Sequence, residues 1–513
     1  MKDRIVPLIT AAQAFPEMEA RAVATRGRIW LSFRVFDAAT KLQTDAAIDA
    51  AGGDDWAALI AARARDGVDV RIQVADFDPI AAPKLHGAAW ASLRRLAEAA
   101  SHDEAPPRFE AMASLHPARF GPLVAWAFAP IARREIRSIR DEFGATAHEK
   151  LPGFERAASR LAPRIHPASH HQKIAIFDDA AIVGGLDVDE RRWDTPDHDR
   201  PSPETWRDVT LLVEGAPAAK VAETFTDLWN RSVDSEARFI EPLEASGGLR
   251  TPTRINSTKR LPEDVAFSIV RTRSEASNGL FSFGPKTVEK GILEEKLEAI
   301  CRARDFLYIE TQFLRSAKIA DALVDAARRA RDLELVIVLP FAPERFAFDG
   351  RRDRAMRHAE ALQSSALERI TRAFGDRCAA LSPAKPQRAD SEDGFTAYGA
   401  GIVYVHSKVL LADDDLAIIG SANLNDRSLS WDTEVAAVWR DCEGVRRLRE
   451  RLAESWLGGG AVGDLARVAT WRAAAEANAA KTPLERDGFL LPHDGRRAAS
   501  IARRSWFLPD ALF

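Results

Sequence analysis

The stretches HHQKIAIFDD, residues 170–179, and VHSKVLLADD, residues 405–414, carry one arrangement of polar residues twice. Each has histidine, one intervening residue, lysine, four intervening residues and aspartate: His171, Lys173 and Asp178 in the first copy, and His406, Lys408 and Asp413 in the second. Each copy is followed by a turn and a related apolar run, AIVGGLDVDER at 181–191 and AIIGSANLNDR at 417–427. A pattern that returns together with its flanking sequence indicates an internal duplication.

The duplication extends upstream of both motifs. RIWLSFRVFD at 28–37 precedes a helix-like stretch and GVDVRIQVADFD at 67–78, and DFLYIETQFLRS at 305–316 precedes ALVDAARRARDLELVIVLPF at 322–341. Near-continuous Val, Ile and Leu is typical of strands in a sheet covered on both faces. We therefore predict an α/β fold of two similar lobes, each a mixed sheet flanked by helices, related by pseudo-two-fold symmetry with the active site at their interface.

Domain limits follow from the repeat. We predict an N-terminal lobe at 1–250, with its motif segment at 165–192, and a C-terminal lobe at 251–513, with its motif segment at 400–427. Pro, Gly, Ser and Thr dominate the seam at 241–264. A helical insertion at about 78–165 either covers the site or serves as scaffold.

Composition narrows the class of protein. The 513 residues, 46% hydrophobic and 29% charged, describe a folded chain, and a net charge of −4 provides no global field for nucleic acid. Three cysteines without metal-ligand spacing favour neither a disulfide framework nor a zinc site. We expect no metal, no other cofactor and no nucleic-acid partner.

Location is constrained by the apolar runs. The N-terminus has no Sec-type signal pattern, and no run reaches the roughly 20 apolar residues that span a bilayer. We expect a monomer that is cytoplasmic or peripheral to a membrane, with export by a signal-independent route left open.

The repeated residues suit phosphodiester exchange. Residues two apart on a strand share a face, so each histidine lies beside its lysine, and the lobe interface brings both pairs together. The lysines, aided by Ser421 and Asn423, neutralise phosphate oxygens, while one histidine attacks phosphorus and the other protonates the leaving oxygen. Two alternatives stand beside this one: strand histidines without chemistry in an old duplication, and an inactive lobe pair that only binds phosphorylated ligands.

These motifs, with IVGGLDVDERRWD after the first copy and IIGSANLNDRS after the second, resemble the phospholipase D superfamily. The resemblance spans most of the chain. It implies a metal-independent reaction in two steps through a phosphohistidine intermediate, with water or an alcohol as the acceptor.

The resemblance also implies roles for individual residues. His171 would be the nucleophile and His406 the acid and then the base, although the two copies are nearly equivalent and leave this order open. Asp208 in WRDV and Glu434 in WDTEVAAV match the carboxylates that orient the histidines. The lysines would hold phosphate.

Three further positions belong to the predicted site, and Asp187 lies close to one of them, Gly185, in the sequence. Gly185 is grouped with Ser421 and Asn423 as phosphate-binding. Asp178 and Asp413 complete the catalytic motif, but their opposite strand parity suggests that they organise the turn and the lobe interface. For Asp187, which stands where the second copy has Asn423, we expect a structural role because an unpaired carboxylate would repel phosphate.

The substrate follows from the resemblance alone. We expect hydrolysis of a phospholipid head-group diester, or transfer of the phosphatidyl group to an alcohol. The alternatives are a nuclease, another phosphodiesterase and a cardiolipin synthase-like phosphatidyltransferase. Candidates for peripheral membrane contact are the loop 340–354 with Phe346 and Phe348, and the tail 495–513 with Trp506, Phe507 and Leu508; packed core segments are the alternative.

Overall fold

A computed structural model describes residues 3–101, 108–236, 249–256, 266–350, 352–459, 463–506 and 508–513. The predicted seam at 241–264 lies outside the described residues except for 249–256. The limits of the two lobes at this seam therefore stay a prediction.

The described strands are short and buried. In chain order they are β1 (Arg4–Ile9), β2 (Arg28–Phe33), β3 (Asp69–Asp76), β4 (Phe109–Leu115), β5 (Ile174–Phe177), β6 (Ala180–Gly184), β7 (Trp206–Arg207), β8 (Val209–Glu214), β9 (Phe267–Glu275), β10 (Lys286–Lys290), β11 (Phe306–Thr311), β12 (Glu334–Val338), β13 (Cys378–Pro383), β14 (Thr396–Ala397), β15 (Ala400–Gly401), β16 (Tyr404–Val405), β17 (Lys408–Ala412), β18 (Leu416–Gly420), β19 (Glu434–Trp439) and β20 (Leu490–Pro492).

Two large sheets share one topology. The first has the order β1-β8-β6-β5-β2-β3-β4, and the second has the order β10-β9-β19-β18-β17-β11-β12-β13-β20. The stretch β9-β19-β18-β17-β11-β12-β13 repeats the first sheet strand for strand, with the last three strands parallel and all other pairs antiparallel. The predicted α/β fold with two mixed sheets is confirmed.

Helices flank both sheets. Those of the first lobe are Ala11–Ala24, Asp45–Ala51, Trp56–Arg65, Pro83–Ala100, Pro122–Phe143, Ala147–Lys150, Phe154–Ala158 and Ala216–Glu236. Those of the second lobe are Gly291–Arg302, Ala317–Arg329, Glu344–Ala347, Arg354–Phe374, Asp426–Ser430, Cys442–Leu457, Val468–Ala479 and Arg496–Ala499.

The segment predicted as a helical insertion, 78–165, contains one strand as well as the expected helices. It contains the expected long helices Pro83–Ala100 and Pro122–Phe143, with Pro130 inside the second. Between them lies β4, which pairs in parallel with β3 along its whole length. The sequence FEAMASL consists mostly of good helix formers, so pairing with a neighbouring strand overrides local propensity here.

The lobes meet through reciprocal backbone contacts. β16 of the second lobe pairs in parallel with β7 of the first, and His170 of the first lobe forms a parallel bridge with Thr433 of the second. One buried apolar core includes Ile174 and Val409, the residues that follow each motif lysine. The two motifs are therefore brought to a single interface.

Asp178 and Asp413 lie outside that interface. Both occupy left-handed turns, with φ of 51° and 50°. The Asp178 carboxylate accepts hydrogen bonds from the backbone N–H groups of residues 26–28, and Asp413 accepts from those of residues 304–306. Each aspartate thus ties its turn to its own lobe, which corrects both their inclusion among the catalytic residues and the expected role at the lobe interface.

Replacing Asp178 with alanine should lower stability and leave chemistry intact. We expect Asp178→Ala to lower the free energy of unfolding by about 1–2 kcal/mol, because a charged acceptor for three backbone groups is lost at a turn open to solvent. Asp178→Asn, which keeps an acceptor and tolerates the left-handed turn, should lose less. The measurement is urea unfolding, together with turnover of a p-nitrophenyl phosphodiester by the folded protein. A large loss of turnover in folded Asp178→Ala would restore the catalytic assignment.

Candidate active site

Each motif histidine is held by a carboxylate of the opposite lobe. Nδ1 of His171 lies 2.9 Å from Oε2 of Glu434, and Nδ1 of His406 lies 2.6 Å from Oδ2 of Asp208. Backbone hydrogen bonds also cross between the lobes. The His171 N–H donates to the carbonyl of Thr433, and the His406 N–H donates to the carbonyl of Arg207, both at 2.8 Å. Each histidine is fixed by the lobe to which it does not belong.

These two contacts set the tautomer of both imidazole rings. An ionised carboxylate only accepts, so the proton of each neutral ring sits on Nδ1 and leaves the Nε2 lone pair available. Burial lowers the pKa of His171 and of His406 well below the usual value, and the charges of Lys173 and Lys408 act in the same direction. Neutral Nε2 atoms are what a nucleophile or a base requires.

The lysines are buried beside the histidines. Nζ of Lys173 donates to the carbonyl of His171 at 2.9 Å, and Nζ of Lys408 donates to the carbonyl of His406. Burial lowers the pKa of both ammonium groups, whereas nearby carboxylates, including Asp187 at 3.5 Å from Lys173, oppose the shift. The structure thus brings the four core residues of the two motifs and both orienting carboxylates together.

The three residues predicted to bind phosphate have other contacts. The Ser421 hydroxyl donates to Glu434 and accepts the Val435 N–H at 3.0 Å, so it positions the carboxylate that holds His171. A Cβ on Gly185 would collide with the Asp208 carboxylate, so Gly185 provides the space for that side chain. These contacts give both residues a positioning role, and their assignment as phosphate ligands stays a prediction.

Asn423 and Asp187 occupy equivalent positions in the two lobes but make different contacts. Asn423 donates from Nδ2 to Oε1 of Gln312 at 3.3 Å, and its Oδ1 is buried without a partner among the described residues. Asp187 occupies the equivalent position in the first lobe and accepts the Val35 N–H at 2.9 Å. Although burial acts to raise the pKa of Asp187, Lys173 and Arg192 lower it overall. The carboxylate is thus paired, in keeping with the structural role expected for it.

Sequence reasoning missed Arg192. This residue is not among the predicted site residues, although the structure buries Arg192 and leaves the preceding Arg191 exposed. The Arg192 guanidinium lies 3.8 Å from the centre of the Trp206 ring, which in turn lies 5.4 Å from the His406 ring. Nε and Nη1 of Arg192 are buried without a hydrogen-bond partner among the described residues, so both donors are available to an anion.

Arg34 is a second missed cation. Its position directly after β2 corresponds to Gln312 after β11, because Ser32 and Glu310 occupy matching registers beside the motif strands. Its positive charge acts to lower the pKa of His171. The available signal was a basic residue at the end of β2, where the matching residue of the second lobe is the neutral Gln312.

A buried cluster supports the backbone of His406. The carboxylate of Glu310 accepts hydrogen bonds from Ser407 and from Nε1 of Trp456, the latter at 2.9 Å. Nε of Arg207 lies 3.7 Å from Glu310, and its guanidinium stacks 4.2 Å from the Trp456 ring. Because the carbonyl of Arg207 holds the His406 N–H, this cluster connects the cross-lobe contact to the core.

Comparison with known proteins shows which families and structures this chain resembles. The family model described as "cardiolipin synthase, PLD-like domain" matches residues 297–456. Phospholipase D1 of Schizosaccharomyces pombe is 27% identical over 348 residues, which cover 53% of this chain and 25% of that protein. Phospholipase D2 of Bos taurus is 28% identical over 269 residues, which cover 46% of this chain and 27% of that protein. The solved phosphatidylserine synthase of Haemophilus influenzae has a TM-score of 0.48 at 12% identity and covers 88% of this chain and 85% of that chain.

The repeated motifs, the cross-lobe site and these matches place the chain in the phospholipase D superfamily. The chain spans about a quarter of the length of the curated relatives just named. Within the described residues, no helix combines the length and apolar character needed to cross a membrane.

The contact of Gly185 with Asp208 generates a test. We expect Gly185→Ala to lower kcat for a p-nitrophenyl phosphodiester by roughly 10- to 100-fold, because the added methyl group displaces the carboxylate that orients His406. Gly459→Ala is the matched control, since a Cβ there meets no atom within 4 Å.

If Gly185 acts through Asp208, adding Gly185→Ala to Asp208→Asn should cause little further loss of kcat. Full additivity of the two losses would show that Gly185 has a separate role, such as direct contact with phosphate.

Proposed function

We propose that this protein is a phospholipase D-type phosphodiesterase that cleaves the head-group diester of phospholipids through a phosphohistidine on His171. The observation that carries the proposal is the pair of cross-lobe histidine–carboxylate contacts, which leaves two neutral Nε2 atoms at one interface. No single lobe has both a nucleophile and an acid. The similarity to phospholipases D supports the choice of substrate.

The charge balance of the site supports a diester. The cations around the histidines exceed the carboxylates by one: Lys173, Lys408, Arg34, Arg192 and Arg427 against Asp187, Asp208, Glu434 and Asp432, the partner of Arg427. A phosphodiester carries one negative charge, and its pentacoordinate transition state carries a second. Protonation of one histidine provides the matching second positive charge, so the site is complementary to the transition state.

In the first step, Nε2 of His171 attacks phosphorus and the bond from phosphorus to the head-group oxygen breaks. His406, protonated on Nε2, gives that proton to the departing oxygen. The product is a phosphatidyl group bonded to His171 and a free alcohol. Lys173 and Lys408 stabilise the negative charge that accumulates on the nonbridging oxygens.

In the second step, the neutral His406 takes a proton from water, and the oxygen attacks phosphorus. The bond from phosphorus to Nε2 of His171 breaks, which releases phosphatidic acid and leaves His406 protonated again. An alcohol in place of water gives transfer of the phosphatidyl group by the same bonds. The match to a cardiolipin synthase family model favours such transfer as the second candidate function.

The carboxylates support this division of roles. Oδ2 of Asp208 contacts only His406 among the described groups, whereas Oε2 of Glu434 accepts from both His171 and Ser421. Sharing a carboxylate oxygen between two donors weakens its attraction for a proton on the ring. Through this contact, Asp208 favours a proton on His406 more than Glu434 favours one on His171, as the acid role of His406 requires.

The two histidines should fail differently in rapid-mixing kinetics with excess EDTA present. We expect His171→Ala to release no p-nitrophenol from a p-nitrophenyl phosphodiester, because no phosphoenzyme forms. His406→Ala should release about one equivalent in a burst and then stall, because this leaving group needs little protonation but the intermediate lacks a base. Acid-labile, alkali-stable phosphorus should be found on residue 171.

A burst from His171→Ala and none from His406→Ala would exchange the roles. Steady release without a burst in any variant, or a strict metal requirement for chemistry, would contradict the covalent mechanism. Parallel assays with phospholipid and with single-stranded DNA distinguish the lipid activity from the nuclease alternative.

A further inference from the structure

The described residues place four exposed apolar side chains on two adjoining elements. Leu123 and Trp126, at the start of the helix Pro122–Phe143, are 44% and 52% exposed. Leu280 and Phe281, in the loop that follows β9, are 59% and 74% exposed. We call these four residues the apolar rim.

Backbone contacts fix the two elements of the rim to each other. The N–H of Gly121 donates to the carbonyl of Ser282 at 2.7 Å, and the N–H of Leu123 donates to that of Leu280 at 3.0 Å. A Cβ at Gly121 would collide with the carbonyl of Gly279, so the two chains approach as closely as glycine allows. The loop thus satisfies free donors at the helix start, and its own position is defined.

An aromatic cluster lies beside the rim and contacts both of its elements. The ring of Phe120 lies 5.5 Å from that of Phe128 and 6.4 Å from that of Phe283, and the last two lie 6.3 Å apart. These ring contacts hold the helix and the loop together, with Phe120 buried and Phe283 itself 39% exposed. The four rim side chains are exposed beside this cluster, and core packing does not account for their exposure.

Positive charge accompanies the rim. Residues 119–164 contain nine Lys or Arg and five Asp or Glu, in a chain whose net charge is −4. At about 3.6 residues per turn, Arg134 and Arg137 lie on the same helix face as Leu123 and Trp126. Both arginines are exposed, and neither pairs with a carboxylate among the residues that the structure describes. The face is apolar at its start and basic farther along.

The rim is connected to the first motif. Gly284 packs against the indole of Trp431, where an added Cβ would lie 2.7 Å from the ring. Trp431 comes three residues before Glu434, the carboxylate that holds His171. From the helix side, the ring of His116 lies 5.1 Å from that of His170, the residue directly before the nucleophile. The rim is thus built on segments that also form the active site.

The size and chemistry of the rim favour a lipid surface over a protein. Even fully covered, four side chains of this kind bury roughly 500 Å², below the roughly 800 Å² per partner of a stable protein interface. Tryptophan and phenylalanine beside arginine are typical of segments that enter the interfacial region of an anionic bilayer.

The segments named from sequence have less support. Phe346 is buried in a cluster with Phe395, so the expectation that this residue of the loop 340–354 contacts a membrane is wrong. Phe348 packs against Tyr404. In the tail, Trp506 is 95% exposed, Phe507 lies outside the described residues, and Leu508 is partly buried.

We propose that the apolar rim inserts into the interfacial region of an anionic phospholipid bilayer and holds the first motif against the lipid surface. This proposal rests on the proposed function, because it assumes that the substrate is part of a bilayer. Arg134 and Arg137 then lie against lipid phosphates, where each adds electrostatic attraction that salt weakens.

The test is co-sedimentation of the full chain with vesicles of phosphatidylcholine, with and without phosphatidylglycerol. We expect the wild type to bind the anionic vesicles. Trp126→Ser/Phe281→Ser should bind them at least about tenfold more weakly, because it lacks the two aromatic side chains that the bilayer buries. Arg134→Glu/Arg137→Glu should lose the preference for phosphatidylglycerol. Leu484→Ser is the matched control, since Leu484 is exposed elsewhere on the surface, and it should bind as the wild type does.

A soluble p-nitrophenyl phosphodiester separates this proposal from the proposed function. Trp126→Ser/Phe281→Ser should hydrolyse it within about twofold of the wild-type rate, because the site is intact, while hydrolysis of vesicle phospholipid falls with binding. If the wild type leaves the soluble diester intact, the proposed function fails, but vesicle binding can still be measured. If the rim variant binds vesicles as well as the wild type does, or if neither protein binds, the proposed membrane role of the rim is wrong. If the rim variant loses self-association but keeps vesicle binding, the rim is instead a contact surface for a second copy of this chain.

Discussion

The hydrogen bonds between each motif histidine and the carboxylate of the opposite lobe are the constraint on which the rest of the site depends. They fix the tautomer of both rings, aim both Nε2 atoms and require the lobes to remain in one arrangement. One lobe alone has one motif histidine and lacks the carboxylate that orients it. The exchange explains why a duplicated unit carries its motif twice on one chain.

Much of the surrounding structure maintains this exchange. Short parallel strand contacts hold the backbone beside each histidine, and a core shared by both sheets prevents the lobes from separating. The lobes have also diverged at two matching positions. Arg34 and Asp187 in the first lobe correspond to the neutral pair Gln312 and Asn423 in the second, so only the first lobe has opposite charges there.

The sequence predicted the two sheets and the motif residues because duplication and strand patterns are local signals. It could not predict the contacts made across the interface. Ser421 was assigned to phosphate although its hydroxyl holds Glu434, and Arg192 was missed because only packing shows that its side chain, and not that of Arg191, is buried beside Trp206. The strand β4 lies within the segment predicted as a helical insertion, because the composition of that strand favours helix and only its pairing with β3 decides otherwise.

One reaction centre shared by the two lobes should be visible in a crystal structure with bound vanadate. We expect a single vanadium bonded to Nε2 of His171, with Nε2 of His406 within hydrogen-bond reach, about 3 Å, of the opposite apical oxygen. Vanadate bound to one lobe alone, with the two Nε2 atoms separated by more than about 10 Å, would show that the lobes do not share a centre.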